Sequence, residues 1–135
     1  MKLITRDTDY AIKALCCIAK RKETVVSVKD IVGCTRMPRP FSRKILQRLN
    51  KKRLLKSYRG LGGGFKLAVS PGSISLLDLI EIFQGRLSLN EHKFKGRQCP
   101  EIKACPLKRR LDLIDEHVRA ELRGITISKL IKEGK

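Results

Sequence analysis

The sequence contains no tryptophan, and all aromatic residues together make up only 4% of its 135 residues. Since 41% of the residues are hydrophobic, we still expect a core, built mostly from leucine, isoleucine and valine. No apolar stretch approaches the roughly 20 residues that a membrane-spanning helix needs. Residues 1–6 also lack the apolar core of a signal peptide. We therefore expect a cytoplasmic protein with no membrane partner, formed by one domain or by one domain and an appended helix.

Acidic residues are absent from Ile31 to Leu77, although the flanking regions contain them. The same stretch carries eleven basic residues: Arg36, Arg39, Arg43, Lys44, Arg48, Lys51, Lys52, Arg53, Lys56, Arg59 and Lys66. The net charge of +18 is therefore densest in the middle of the chain. Such a surface neutralises phosphates and releases counterions when it meets a nucleic acid. The competing interpretation is a solvated basic face, the usual outcome of a charge run.

Catalytic motifs are also lacking. The two histidines, His92 and His117, do not accompany a serine or cysteine nucleophile motif. The triple glycine at residues 62–64 lacks the Gly-Lys-Ser/Thr context of a phosphate-binding P-loop. We therefore predict that the protein is not an enzyme and has no catalytic residues.

Hydrophobic periodicity predicts three helices in the first half of the chain, at about residues 7–20, 27–34 and 40–50. The second begins at Ser27, three residues before Asp30, in a variant of the capping box. A proline-containing break at residues 37–40 separates it from the third. The third helix is apolar at Phe41, Ile45, Leu46 and Leu49, and we expect the remaining positions to point outward: Arg39, Ser42, Arg43, Gln47 and Arg48.

Two short apolar segments, residues 54–58 and 65–69, flank the glycine-rich turn at residues 59–64 and predict a β-hairpin. A helix–turn–helix followed by a hairpin is a winged helix. The predicted fold class is therefore mainly α, a winged helix–turn–helix with a two-stranded β wing. We assign residues 1–72 to this DNA-binding domain.

The second half, residues 73–135, is expected to contain an irregular loop and a helix that forms a subunit interface. Ser75 and Asp78 form a capping pair for a helix that runs to Gln84 and ends at Gly85, and residues 86–104 look irregular. A long helix then covers residues 106–123. Its single apolar stripe favours a subunit interface over ordinary core, and it consists of Leu107, Leu111, Ile114, Val118 and Leu122.

The chain has five cysteines, and their location in a reducing compartment argues against a disulfide framework. They leave buried thiols, a metal site or redox chemistry open. Cys16, Cys17 and Cys34 are most simply interpreted as small packing residues. Cys99 and Cys105 form the one pair with suggestive spacing.

Several motifs occur together in a recognisable order: Met1-Lys2-Leu3, Val28-Lys29-Asp30-Ile31, Ser57-x-Arg59-Gly60-x-Gly62-Gly63-Gly64-Phe65-x-Leu67-Ala68, Ile74-x-Leu76-x-Asp78-x-Ile80, Gly85 and Cys105-Pro106-Leu107. The chain resembles, from Met1 to about Leu130, the IscR/NsrR/CymR family of bacterial winged-helix transcription regulators. The resemblance implies a homodimer, built on the long C-terminal helix, that binds a near-palindromic double-stranded DNA operator, most commonly as a repressor.

The resemblance also implies which residues meet DNA. The third helix would enter the major groove, with base contacts from the residues near its start, and Arg59 would enter the minor groove from the wing. The predicted DNA-binding residues are Arg39, Pro40, Ser42, Arg43, Lys44, Arg48, Arg59, Gly60 and Gly62, with Lys51, Lys52 and Lys56 as further phosphate contacts. Because Arg43 stands where cluster-sensing relatives often carry glutamate, the operator preference of those relatives does not transfer.

Cluster-binding members of this family carry three cysteines before the long helix. This chain supplies Cys99 and Cys105, whereas Glu91, His92 and Lys93 occupy the region of the third. Asp9 matches a carboxylate that the nitric-oxide-sensing branch uses as a ligand. Because two cysteines alone cannot hold a cluster, the resemblance implies a site in a sensor loop on Cys99 and Cys105, completed by His92 or Glu91 and by Asp9, which that branch donates from the partner subunit. An iron–sulfur cluster is expected there before zinc, and it would sense iron, redox state or nitric oxide. The alternatives are a regulator without a cluster that answers to a partner protein or thiol oxidation, and a non-specific basic binder of nucleic acid.

Overall fold

The computed structural model describes residues 2–21, 24–89, 93–94, 97–98 and 105–134. The helices are α1 (Arg6–Lys20), α2 (Val28–Thr35), α3 (Arg39–Lys51), α4 (Leu76–Gln84), α5 (Pro106–Gly124) and α6 (Ile127–Glu133). The strands are β1 (Leu55–Tyr58), β2 (Gly64–Leu67), β3 (Lys93–Phe94) and β4 (Arg97–Gln98). None of the helices in these ranges combines the length and the apolar character of a membrane span.

The predicted winged helix–turn–helix is confirmed. Helices α2 and α3 pack against α1, and β1 and β2 pair antiparallel in a hairpin whose register sets Tyr58 opposite Gly64. One detail differs from expectation, because β3 and β4 form a short antiparallel ladder inside the region predicted to be irregular.

Helix starts follow the capping signals of the sequence. The Asp78 N–H donates to the Ser75 hydroxyl over 3.1 Å, and the Ser75 N–H donates to the Asp78 carboxylate over 3.2 Å. This reciprocal pair is the predicted capping box. The Ser27 hydroxyl likewise accepts the Asp30 N–H. Helix α3 starts differently, because its N-cap residue, Pro38, makes no side-chain capping hydrogen bond.

The main core lies where α1, α3 and the wing meet. The predicted apolar face of α3 is buried at Ile45, Leu46 and Leu49, while Phe41 is partly buried. It packs in one cluster with the buried residues of α1, which include Ala11, Ala14, Leu15 and Ile18. Ile74, Leu79 and Ile127 belong to the same cluster. The second half of the chain therefore contributes to the core against which α3 packs.

Ser42 was expected to point outward, and that prediction is wrong. The residue is buried, and its hydroxyl donates to the Arg39 carbonyl over 2.6 Å. Ser42 shares the inner side of α3 with Ile45, Leu46 and Leu49, since residues three, four and seven apart lie on one helical face. The hydroxyl is tolerated there because the preceding turn supplies its acceptor.

The wing is attached at its base by a close backbone approach. The Val26 N–H donates to the Phe65 carbonyl, and the Phe65 N–H donates to the Val26 carbonyl, both over 2.8 Å. Gly64 has φ of +153° and lies against the same segment, so that a β-carbon would collide with the Val26 carbonyl. Only glycine satisfies both conditions without distortion.

We predict that Gly64→Ala lowers the free energy of unfolding by about 2 kcal/mol or more, because it combines backbone strain with a collision at the base of the wing. Gly33→Ala is the matched control. A β-carbon at Gly33, inside α2, would meet nothing within 4 Å. We expect that variant to be neutral or more stable by up to about 1 kcal/mol. Chemical denaturation of both variants measures the difference, and equal stability would contradict the proposed role of Gly64.

Candidate nucleic-acid interface

The outer face of α3 is basic along its whole length. Its exposed positions include Arg39, Arg43, Lys44, Gln47, Arg48 and Lys51. Lys52, the residue that ends the helix, is exposed as well. Apart from Ser42, the outward placement predicted from the sequence is thus confirmed. Several of these side chains line an open groove of about 530 Å³.

The electrostatics of α3 differ from those of its neighbours. Helices α1, α2 and α4 carry aspartates in the first turn, which offset the positive end of the helix dipole. Helix α3 has no acidic residue there and carries Arg39 instead. The start of α3 therefore combines a positive helix end with a guanidinium group, an arrangement that favours an anion such as a phosphate.

The wing presents its turn to solvent. Gly60 has φ of +89° and Gly62 has φ of +75°, and the Gly63 N–H donates to the Gly60 carbonyl over 3.0 Å. Arg59 is exposed at the base of this turn. With Gly64, three glycines of the glycine-rich turn predicted at residues 59–64 have positive φ, a backbone conformation that favours glycine.

Helix α3 and the wing border one groove. Arg39, Arg43 and Gln47 line it on the helix side, and Phe65 lines it on the wing side, with a volume of about 810 Å³. Its polar rim is basic, because no acidic residue occurs between residues 31 and 77. Helix α3 therefore presents positive charge at a groove that the wing borders with Phe65.

Arg48 makes contacts that the sequence did not reveal. Its Nε donates to the Ile82 carbonyl over 3.1 Å, and its guanidinium lies 5.8 Å from the centre of the Phe83 ring. The last carbonyls of a helix have no partner within it, so Arg48 satisfies one at the end of α4. Arg48 thereby joins α3 to the second half of the chain. Sequence reasoning missed this because the partners lie 34 residues apart.

A second set of contacts joins α4 to α5. Arg119 donates to Glu81 over 3.3 Å and to the Leu87 carbonyl over 3.1 Å. The Leu89 N–H donates to the Asp115 carboxylate over 3.2 Å. The segment that leads from α4 towards residue 90 is thus held against α5.

The predicted dimer stripe on α5 divides into two parts. Leu107 is 61% exposed and Ile114 is 52% exposed, while Leu111 and Val118 are half-buried. Leu122 is instead buried with Leu77 and Ile80 in a second core cluster. We therefore correct the assignment of Leu122, because its side chain is already covered by the α4 residues of its own chain.

Of the four predicted metal ligands, His92 and Cys99 lie outside the described residues. Asp9 pairs with Lys13 over 2.8 Å, and this hydrogen bond raises the pKa of Lys13. Cys105 is half-buried immediately before α5 and makes no capping hydrogen bond. Within the described ranges, no three potential ligands come together as a metal site.

The other cysteines follow the packing prediction only in part. Cys17 is buried, and burial, followed by a hydrogen bond with Cys34, raises its pKa to about 12. Burial also raises the pKa of Cys16, which is half-buried. Cys34 is exposed, so its assignment as a packing residue is wrong. It lies in the last turn of α2, whose inward face is formed by Ile31 and Thr35.

Comparison with known solved structures supports the fold. The T. potens IscR structure superposes with a TM-score of 0.76 at 24% identity, covering 100% of this chain and 89% of that one. The structure of CymR, the global cysteine regulator of B. subtilis, superposes with a TM-score of 0.75 at 24% identity, covering 98% of both chains.

Comparison of sequences identifies the family. BadM of Rhodopseudomonas palustris is 31% identical over 130 residues, which cover 96% of this chain and 81% of BadM. The HTH-type transcriptional regulator NsrR of Geobacillus kaustophilus is 26% identical over 132 residues, covering 96% of this chain and 90% of the relative. Residues 4–133 match the model of the Rrf2 family, which is described as "Iron-dependent Transcriptional regulator". The chain therefore belongs to the Rrf2 family, whose members are DNA-binding transcriptional regulators and not enzymes.

Proposed function

We propose that the protein is a homodimeric repressor that binds a specific DNA operator. In this proposal residues 1–72 bind DNA, and residues 73–135 carry a sensor segment and the dimerisation helix. The observation that carries it is the single groove bordered by the basic face of α3 and by the wing. A helix and a hairpin on one side of a domain can occupy the major groove and an adjacent minor groove of one duplex.

Arg39 and Arg43 are the proposed base-reading residues. Both are exposed near the start of α3, and Arg43 has no polar partner among the described residues, so its guanidinium is available to a ligand. An arginine that forms two hydrogen bonds with guanine distinguishes it from the other bases. Pro40 and Lys44 lie beside them on the same exposed surface.

The remaining cations of this surface are proposed to contact the DNA backbone. Lys51, Lys52 and Lys56 are exposed, and phosphate contacts of this kind position a protein without reading sequence. Arg48 can contribute through its terminal nitrogens while its Nε stays on Ile82. Arg59 and the turn at Gly60 and Gly62 are proposed to approach the minor groove.

We predict that Arg43→Ala relaxes sequence preference, whereas Lys51→Ala weakens all sequences alike. Loss of a bidentate guanine contact costs about 1–3 kcal/mol at one base pair, or about 5- to 150-fold in discrimination. Loss of a phosphate contact lowers the salt dependence of binding by about one ion. Titration of a duplex obtained by in vitro selection, and of scrambled duplexes, at several salt concentrations measures both effects.

The alternative function is non-specific nucleic-acid binding, and the sequence preference of the wild-type protein distinguishes it from the proposed one. A specific regulator should prefer its selected duplex by roughly a thousandfold or more. Equal affinity for every sequence would support the alternative and overturn the proposal.

The dimer is proposed to form through the exposed part of the α5 stripe. Leu107, Leu111, Ile114 and Val118 follow one side of the helix, and the exposure of Leu107 and Ile114 leaves this face uncovered by the described part of its own chain. An apolar seam of this kind suits a symmetric contact with the same helix of a second copy. Two-fold symmetry then presents two α3 helices to the two halves of a palindromic operator.

We predict that Ile114→Asp converts the dimer to a monomer, because two carboxylates would be buried in a symmetric apolar contact. Leu113→Asp is the matched control. Leu113 is 49% exposed but lies about 100° around the helix from Ile114, outside the stripe. Analytical ultracentrifugation measures both variants. A dimeric Ile114→Asp protein, or a monomeric wild-type protein, would rule out this interface.

The sensor is proposed to be an iron–sulfur cluster on Cys99 and Cys105, completed by Asp9 and His92. Thiolates are the standard ligands of such clusters, and the family model describes iron-dependent regulators. The donor types suit iron, since thiolate, imidazole and carboxylate groups are all metal ligands. Asp9 and Cys105 are the two of these residues that the structure describes: Asp9 forms a half-exposed ion pair with Lys13, and Cys105 makes no side-chain capping hydrogen bond. A bound cluster would supply a centre that responds to oxidants, nitric oxide or iron supply. Cys105 would connect that response to the start of α5.

We predict that protein isolated without oxygen contains iron and acid-labile sulfide, and that Cys105→Ala loses both. Cys34→Ala is the control, since that thiol is exposed but lies outside the proposed ligand set. Iron and sulfide assays with absorbance spectra measure the outcome. Colourless, iron-free wild-type protein, unchanged by reconstitution, would remove the cluster and favour sensing by thiol oxidation or by a partner protein. The proposed DNA binding does not depend on the cluster and would remain in place after that result.

A further inference from the structure

The tip of the wing carries a leucine that the described part of the chain leaves uncovered. Leu61 is 108% exposed, whereas the other exposed large hydrophobic residues in the described part of the chain are at most 61% exposed. Burial of a leucine side chain is favourable, so an apolar residue at the end of a projecting hairpin gains when it enters another surface. The position requires a partner that can accept an apolar group.

The turn holds Leu61 in a defined place. Gly60 and Gly62 flank it with positive φ, and the Gly63 N–H donates to the Gly60 carbonyl. A β-carbon at Gly63 would collide with the Tyr58 carbonyl, which keeps the turn thin. The hydrogen bond between Gly63 and Gly60 closes the turn around Leu61, which therefore stands at the apex of a narrow hairpin.

The surroundings of Leu61 select the partner. Arg59 lies two residues away, Lys56 and Lys66 lie opposite each other on the strands, and no acidic residue occurs between residues 31 and 77. An apolar tip on a positively charged support matches a partner that is anionic outside and apolar inside. DNA approached from the minor groove has this character, since phosphates line the groove and the stacked faces of the base pairs behind its polar floor are apolar.

We propose that Leu61 acts as a wedge that enters the minor groove and partly separates one base step in each half-site. Leucine is among the side chains that proteins insert between base pairs, and such insertion bends the duplex towards the major groove. Pyrimidine–purine steps separate most easily, so Leu61 would add a preference for such a step without a hydrogen bond to a base. This inference rests on the proposed DNA-binding function and adds deformation of the operator to it.

The test uses the full-length dimer and a selected duplex in which 2-aminopurine replaces adenine at one position after another. Separation of a base step raises the fluorescence of this analogue. We expect an increase at one step in each half-site with the wild-type protein and with Leu61→Phe, and no increase with Leu61→Ala. The Leu61→Ala protein should still bind the duplex, about 3- to 30-fold more weakly, in line with the loss of one apolar wedge contact.

Val69→Ala is the matched control, because Val69 is an exposed apolar residue beyond the end of β2. It should preserve the fluorescence increase and the bend measured by circular-permutation gels. Binding of the wild-type protein without a fluorescence increase at any step, or an increase unchanged in Leu61→Ala, would overturn the wedge while leaving the proposed function intact. A dimer that dissociates in Leu61→Ala without DNA would assign Leu61 to a protein contact and also overturn it. Failure of the wild-type protein to select any duplex would instead overturn the proposed function itself.

Discussion

The close approach between the wing and the segment before α2 determines how the proposed DNA-binding surface is assembled. Val26 and Phe65 exchange two backbone hydrogen bonds, and Gly64 leaves no space for a side chain between the two segments. An isolated two-stranded hairpin is marginally stable in water. The third segment therefore gives the wing its orientation, and the groove between Phe65 and α3 exists because this attachment is short.

The distribution of acidic residues complements that geometry. Aspartates occupy the first turns of α1, α2 and α4, where the positive helix ends make them favourable. At the start of α3 the positive end remains uncompensated beside Arg39. Positive charges repel one another within the protein, but they become favourable on contact with phosphates. The lack of acidic residues from 31 to 77 therefore lowers the stability of the fold and favours the binding of a nucleic acid.

Local signals in the sequence were sufficient for the elements and for the fold class. Apolar spacing, the Ser75–Asp78 pair and the glycine-rich turn are short-range features, and each corresponds to the structure within a few residues. The errors arise where distant parts of the chain meet. Leu122 belongs to the predicted stripe by spacing, yet α4 covers it. Ser42 and Cys34 were misplaced for another reason, because they were assigned by residue type: the hydroxyl of Ser42 was expected outside although its spacing from Ile45, Leu46 and Leu49 places it on the inner face. The contact of Arg48 with the end of α4 joins residues that no local pattern relates.

These long-range contacts determine what a dimer of this chain can transmit. Helix α4 contacts α5 through Glu81 and Arg119, and it contacts α3 through Ile82 and Arg48. Its last residue, Gln84, accepts hydrogen bonds from the Thr5 N–H and the Thr8 hydroxyl at the start of α1. Helix α4 is therefore joined both to the proposed dimer helix and to α1 and α3, which lie in the proposed DNA-binding half.

In the proposed dimer, a shift of α5 that carried α4 with it would alter the separation of the two α3 helices. These contacts would provide the route, and a sensor ligand that stabilised one of two arrangements would supply the free energy. Because half-site spacing on DNA is fixed by the helical repeat, a small change in that separation is sufficient to change affinity.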